Sequence, residues 1–156
     1  MSSLEGTGLR ELRTSSLVGI LGAIFSLTAS VLSTVSKYIV QSGLTSGLTL
    51  TIATYSLVLI GGSLVFIQAV MIRNGFDTLR PSYPEFGIGK TGGTTILATV
   101  IVSLISTIYL LETILSGIGA LTSSSLLLEV LIPVMIFSVI GYVLLGLGFY
   151  RVGRKY

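Results

Sequence analysis

Two carboxylates, Glu112 and Glu129, are the side chains of this chain best placed to do chemistry, because both fall inside long apolar runs. Each stands about one helical turn from the end of its run, on either side of the short stretch SGIGALTSSS (116–125). They are therefore expected at similar depth on adjoining helices. A carboxylate within a membrane is costly and is a functional-site hypothesis by default. Two close together raise one another's proton affinity, and desolvation acts in the same direction, so the pair could hold a proton or a cation. The competing reading is structural: each glutamate reaches up to the interface, or one of them pairs with Lys37 at the same depth. Pro133 bears on the choice. If the helix runs through Glu129, proline four residues on leaves the Glu129 carbonyl without its helical donor. If the helix begins near Pro133, the proline occupies a favoured first-turn position and Glu129 belongs to the loop.

Other chemistries are excluded by residue type. The chain has no Cys and no His, so thiolate, imidazole and disulfide chemistry are absent, and no cofactor or metal site is expected. Gly89-Lys90-Thr91 resembles the end of a phosphate loop, but Pro84 stands where the first glycine is required and no strand precedes it. The serines and threonines have no base to activate them. No enzyme activity is expected. Basic residues do not alternate with aromatics in a stripe, which excludes nucleic acid as a partner.

The elements that must position the glutamates are membrane spans. Hydrophobic residues make up 51% of the 156 residues and charged residues only 10%, too few to cover a soluble domain. Four uncharged or nearly uncharged runs of spanning length lie at about 16–36, 48–72, 91–115 and 126–150. The expected fold is a single all-α, polytopic transmembrane bundle of four helices in two hairpins. In the first span Gly22, Ser26, Ser30 and Thr34 recur at every fourth position and form a candidate helix-packing face. Gly61 and Gly62 mark close contact in the second span, and Gln68 is expected to find a polar partner near its end. Residues 1–13 are expected to be a frayed tail, and FGIGKTGG (86–93) a flexible entry to the third span.

Orientation follows from the positive charges. Eight of the nine Lys and Arg residues lie in the termini or in the polar segment 73–90, and Lys37 alone lies on the other side. That bias places both termini and the connector in the cytoplasm, with the chain in the cytoplasmic membrane. The connector 73–90 is expected to lie on the membrane surface. There Phe76, Leu79, Tyr83 and Phe86 would dip into the interface while Arg80 and Lys90 meet anionic headgroups.

The opening LEGTGLRELRTSSLVGILG, with Glu5, Gly6, Leu9, Arg10, Leu12 and Arg13 followed by four spans, resembles the small archaeal membrane proteins of the DUF973 family. Thr7-Gly8 is an insertion relative to that pattern. The resemblance implies an archaeal cytoplasmic membrane, in keeping with the sparse Asn and absent Cys of thermophiles, and it implies no catalytic residue. The expected role is that of an accessory or structural subunit, with the lipid bilayer and other membrane subunits or further copies of itself as partners. A small oligomeric transporter or ion channel using Glu112 and Glu129 is the alternative.

Overall fold

Four long helices follow one another in the computed structural model: α1 (Ser3–Gln41), α2 (Gly47–Leu79), α3 (Gly87–Leu115) and α4 (Ser123–Lys155), with one 3-10 turn, Pro84–Phe86, between α2 and α3. The backbone is described for residues 3–41, 47–115 and 123–155; within these the side chains of 3, 37, 40–41, 47–48, 110–111, 113–115 and 123–131 are not. The expected turn at 37–47 falls largely outside the described residues, as does most of that at 116–125. Four of the described helices are long and apolar enough to cross a membrane: Leu4–Ser36, Thr49–Leu79, Pro84–Tyr109 and Ile132–Lys155. The all-α class and the four spans are thus as read from composition. α1 packs on α2, α2 on α3 and α3 on α4, so the bundle is two hairpins joined along their middle helices.

Tertiary contact extends the helices beyond the apolar runs. Residues 3–13 are not a frayed tail but the first turns of α1, because Leu12 is buried and Gly8 lies against Gly75 and Leu79 of α2. The connector is also shorter than 73–90. α2 continues to Leu79 and α3 begins at Gly87, leaving seven residues between them. Prolines set the break: Pro81 has no N–H to donate to the Asp77 carbonyl, and Pro84 opens the 3-10 turn. Ser82 and Tyr83 donate their backbone N–H groups to the Leu79 carbonyl at 3.2 and 3.1 Å, satisfying the end of α2. FGIGKTGG likewise is helix rather than flexible entry from Gly87 onward.

Small residues at sevens make the seams. On α1 Gly8, Ser15, Gly22, Ala29 and Ser36 are all buried. On α2 Thr54, Gly61 and Gly75 are buried, with the half-buried Gln68 completing the same register. A Cβ on Gly61 would sit 3.2 Å from the Ser26 hydroxyl oxygen and 3.5 Å from the Gly22 carbonyl oxygen, so the backbones run almost in contact. Seven residues fall about 20° short of two full turns on a straight helix, and a left-handed supercoil removes the drift. A four-residue step overshoots by about 40° each time. This explains the fate of the expected packing face. Gly22 is buried and Ser26 abuts Gly61, but Ser30 and Thr34 have turned outward and are exposed.

The second hairpin repeats the device with Gly89, Gly92, Ile96 and Thr99 on α3 against Gly141, Leu145, Gly148 and Val152 on α4, all buried. The hairpins meet at Phe76. Its ring is fully buried, lies where Cβ atoms on Gly89 and Gly148 would have to go, and meets Phe149 edge-on with centroids 5.3 Å apart. Leu79 and Phe86 are fully buried beside it in one core with Leu12, Ile72 and Ile96. Phe76, Leu79 and Phe86 are therefore core residues and not, as expected, interfacial ones.

A contrast between two glycines of the second hairpin tests the seam. A Cβ on Gly92 would meet the Leu145 nitrogen at 2.7 Å and the Gly141 carbonyl oxygen at 2.9 Å, backbone atoms that cannot swing aside. Gly92→Ala should destabilise the protein by about 1–3 kcal/mol, the range for overpacking. Gly146 has nothing within 4 Å of its Cβ position. Gly146→Ala should stabilise by about 0.5–1 kcal/mol through helix propensity. Unfolding of the purified variants in mixed micelles, followed by helix content, reads both signs.

Candidate functional site

The sequence-selected glutamates come out unequally. Glu112 lies on α3, three residues from its end, and its side chain is exposed. Glu129 lies within α4, which begins at Ser123, so the helix runs through it and Pro133 is an internal proline. The Glu129 carbonyl accordingly has no N–H four residues on. The side chains of Glu129 and Lys37 lie outside the described set, and with them any meeting of Glu112 with Glu129 or a clasp to Lys37. Among the described residues no three His, Cys, Asp or Glu side chains gather as metal ligands.

Polar side chains instead converge at the opposite end of the hairpins, around the short connector. Tyr83 donates its hydroxyl to Glu5 Oε1 of α1 at 2.9 Å, and Lys155 Nζ of α4 stands 3.8 Å above the centre of the Tyr83 ring. Arg151 donates to the Glu85 carbonyl oxygen at 2.9 Å. Tyr83 also packs its ring on Phe86, at 5.2 Å between centroids, which seats the aromatic pair over the core. One connector therefore ties the first helix to the last, through a hydrogen bond to a carboxylate and a cation–π contact. Tyr83 reads from sequence only as an interfacial aromatic; the signal for its role is its position between Pro81 and Pro84, which fix the backbone on both sides.

Lys90 and Asp77 form an ion pair at 2.6 Å, joining α3 to α2 across the connector. Lys90 thus has a carboxylate partner within the protein, while Arg80 is exposed. Glu11 Oε2 and Arg73 Nε are buried atoms without a hydrogen-bond partner; they are of opposite charge and stand on adjacent helices at this same end. The Gln68 amide lies against Gly19 of α1, where a Cβ would collide with it. Beside the connector, Glu85, Arg151, Arg154 and Lys155 line a pocket of about 470 Å³. A groove of about 690 Å³ runs between α3 and α4, walled by Thr91, Thr95, Thr99, Val102, Pro133 and Phe137 among others.

Long apolar helices, paired through small-residue seams and closed at one end by a polar clamp, define a multi-pass helical membrane protein. The chain belongs to the DUF973 family, described as protein of unknown function, whose model matches residues 5–156. No curated protein and no solved structure matches it.

The clamp can be taken apart one contact at a time. Tyr83→Phe removes the bond to Glu5 but keeps the ring, and should cost about 1.5–3 kcal/mol, as for a hydrogen bond to a charged group. Tyr83→Leu should cost about 0.5–1 kcal/mol more by losing the cation–π contact. In a Lys155→Met background the added cost of Leu over Phe should shrink by that amount, leaving only the lost packing on Phe86, which a double-mutant cycle on unfolding midpoints measures directly.

Proposed function

We propose that this protein is an accessory or structural subunit of the cytoplasmic membrane, packing with other membrane subunits or with copies of itself, with both termini and the connector on the cytoplasmic side. The observation that carries the reading is how the polar groups of the spans are used. The hydroxyls of Thr28, Ser30, Thr34, Ser56, Ser63 and Ser106 each donate to the carbonyl four residues back in their own helix, at 2.8–3.0 Å. Among the described residues the closest helix approaches are filled by glycine. The exposed faces are apolar instead: Leu17, Ile20, Ile24, Leu27 and Val31 make one flank of α1, and Met135, Ile136, Val139 and Val143 one of α4. Such flanks suit lipid or another helix, where van der Waals fit rather than polar chemistry governs association.

The orientation rests on the charge bias, eight Lys and Arg residues against one. A second reading, as a small oligomeric transporter or channel, is favoured by one feature. α4 carries at Glu129 a carbonyl that Pro133 deprives of its helical donor, on a residue whose side chain is a carboxylate and within a span-length helix.

Native mass measurement of the tagged protein, released from its own membranes in mild detergent, separates the two. The accessory reading expects stoichiometric co-purification with a larger assembly, and no proton or cation flux from the reconstituted chain. A homo-oligomer whose flux is abolished in Glu112→Gln or Glu129→Gln would replace it with the transport reading. Because the chain lacks cysteine, single-cysteine labelling checks the orientation cleanly. Ser82→Cys and Gly153→Cys should react only from the cytoplasmic side, and Ser42→Cys and Thr122→Cys only from outside.

A further inference from the structure

We propose that the α3–α4 hairpin holds one anionic phospholipid, its acyl chain in the groove and its phosphate headgroup in the pocket of Arg151, Arg154 and Lys155. The two sites share one edge of the hairpin. Pro133 and Phe137 line the groove, and Arg151 and Lys155 line the pocket. Each pair is separated by eighteen residues, five full turns of helix, so the pocket lies on the groove's own face of α4. Phe149, which meets Phe76 of α2, points to the other edge.

The groove suits hydrocarbon. Its threonines look polar but are not available to a polar ligand as donors: Thr91, Thr94, Thr95 and Thr99 donate to the carbonyls of Gly87, Lys90, Thr91 and Ile96 at 3.2, 2.9, 3.0 and 2.8 Å. What remains toward the groove is largely methyl, Ala98, Val102 and the ring of Phe137. From Thr91 to Val102 the wall is about 16 Å long. That is one leaflet's share of a hydrocarbon core about 30 Å thick.

The pocket suits a phosphate group. Three cations face one carboxylate, Glu85. Arg151 uses one N–H on the Glu85 carbonyl and Lys155 stands over the Tyr83 ring, so both are held in place with donors to spare. Arg154 is exposed at the rim. Guanidinium groups bind phosphate oxygens in a bidentate manner, and basic residues at a membrane face prefer anionic lipids.

The test adds phosphatidylglycerol or phosphatidylcholine to the delipidated full-length protein and counts retained lipid by native mass spectrometry. One phosphatidylglycerol per chain should be retained in preference to phosphatidylcholine. Arg154→Gln, at an exposed position outside the clamp, should weaken phosphatidylglycerol roughly fivefold, the share of one basic residue. Ala98→Trp, which fills the exposed groove, should abolish retention of either lipid while helix content and elution volume stay those of the parent. Equal retention of both lipids, a preference unmoved by Arg154→Gln, or retention unmoved by Ala98→Trp each overturns the proposal. So does stabilisation by inorganic phosphate alone without retention of phosphatidylglycerol, which would identify a site for a free anion.

Discussion

The seat of Phe76 on Gly89 and Gly148 is the contact on which the arrangement depends. In lipid there is no hydrophobic force to drive one apolar helix onto another, and association relies on close van der Waals fit. Each hairpin obtains that fit from buried residues repeating at sevens, small along α1 and with glycines set between larger side chains in the second hairpin. The two hairpins meet chiefly along α2 and α3, and there the fit takes a different form: a full aromatic ring of α2 set into the hollow left by two missing side chains, one on α3 and one on α4. Gly93, whose Cβ would approach the Arg73 backbone at 3.2 Å, extends the same contact by one turn. Enlarging Gly89 or Gly148 would displace the ring and with it the core of Leu79, Phe86 and Ile96.

The polar clamp is the complement of that seat. Among the described residues, the buried hydrophobic cluster lies toward the connector end, from Leu12 through Phe76 and Phe86 to Val152. Glu5, Tyr83, Arg151 and Lys155 close over the same end. Charged groups there stay near water and contribute modestly each, but they act on segments already aligned by the core. The clamp therefore fixes the helix ends rather than creating the fold, and it explains why α1 is helical from Ser3 in a stretch whose local sequence reads as a polar tail.

The class of fold was legible because it depends on quantities that sum over many residues: few charges, and apolar runs of spanning length. The interior was less legible because its signals depend on register. Gly22, Ser26, Ser30 and Thr34 caught the eye at a period of four, yet only a period of seven keeps a stripe on a partner helix. Gly8, Ser15, Gly22, Ala29 and Ser36 carried that signal in the same stretch. The connector misled for a related reason. Arg73, Asp77 and Lys90 made 73–90 look like a polar loop, whereas Asp77 and Lys90 neutralise one another across two helices and leave Phe76, Leu79 and Phe86 to be core. Pair neutralisation is invisible until the fold brings the pair together. Of the candidate site, sequence located the two glutamates and left open where α4 begins. The clamp and the basic pocket needed the chain ends brought to the connector, which no local pattern encodes.

The seam and the groove have one cause. Glycines hold α3 and α4 at backbone contact between Gly89 and Ile96 on one side and Gly141 and Gly148 on the other. Toward the far end α4 has no further glycine, and Pro133, Val134 and Phe137 stand there instead. Large side chains on one helix facing threonine methyls on the other cannot interdigitate as closely as glycine on backbone, so a lateral gap runs beside the seam from Thr91 to Val102. Pro133 adds to it, since an internal proline removes one hydrogen bond and tends to bend the helix. A chain whose two hairpins are tightly closed at the connector end thus carries an open side along the α3–α4 hairpin, beside the glycine seam from Thr91 to Val102. That side is apolar, of one leaflet's length, and aligned with the basic end of α4. The same small-residue economy that lets four helices pack without a polar core leaves the molecule with a surface shaped for lipid.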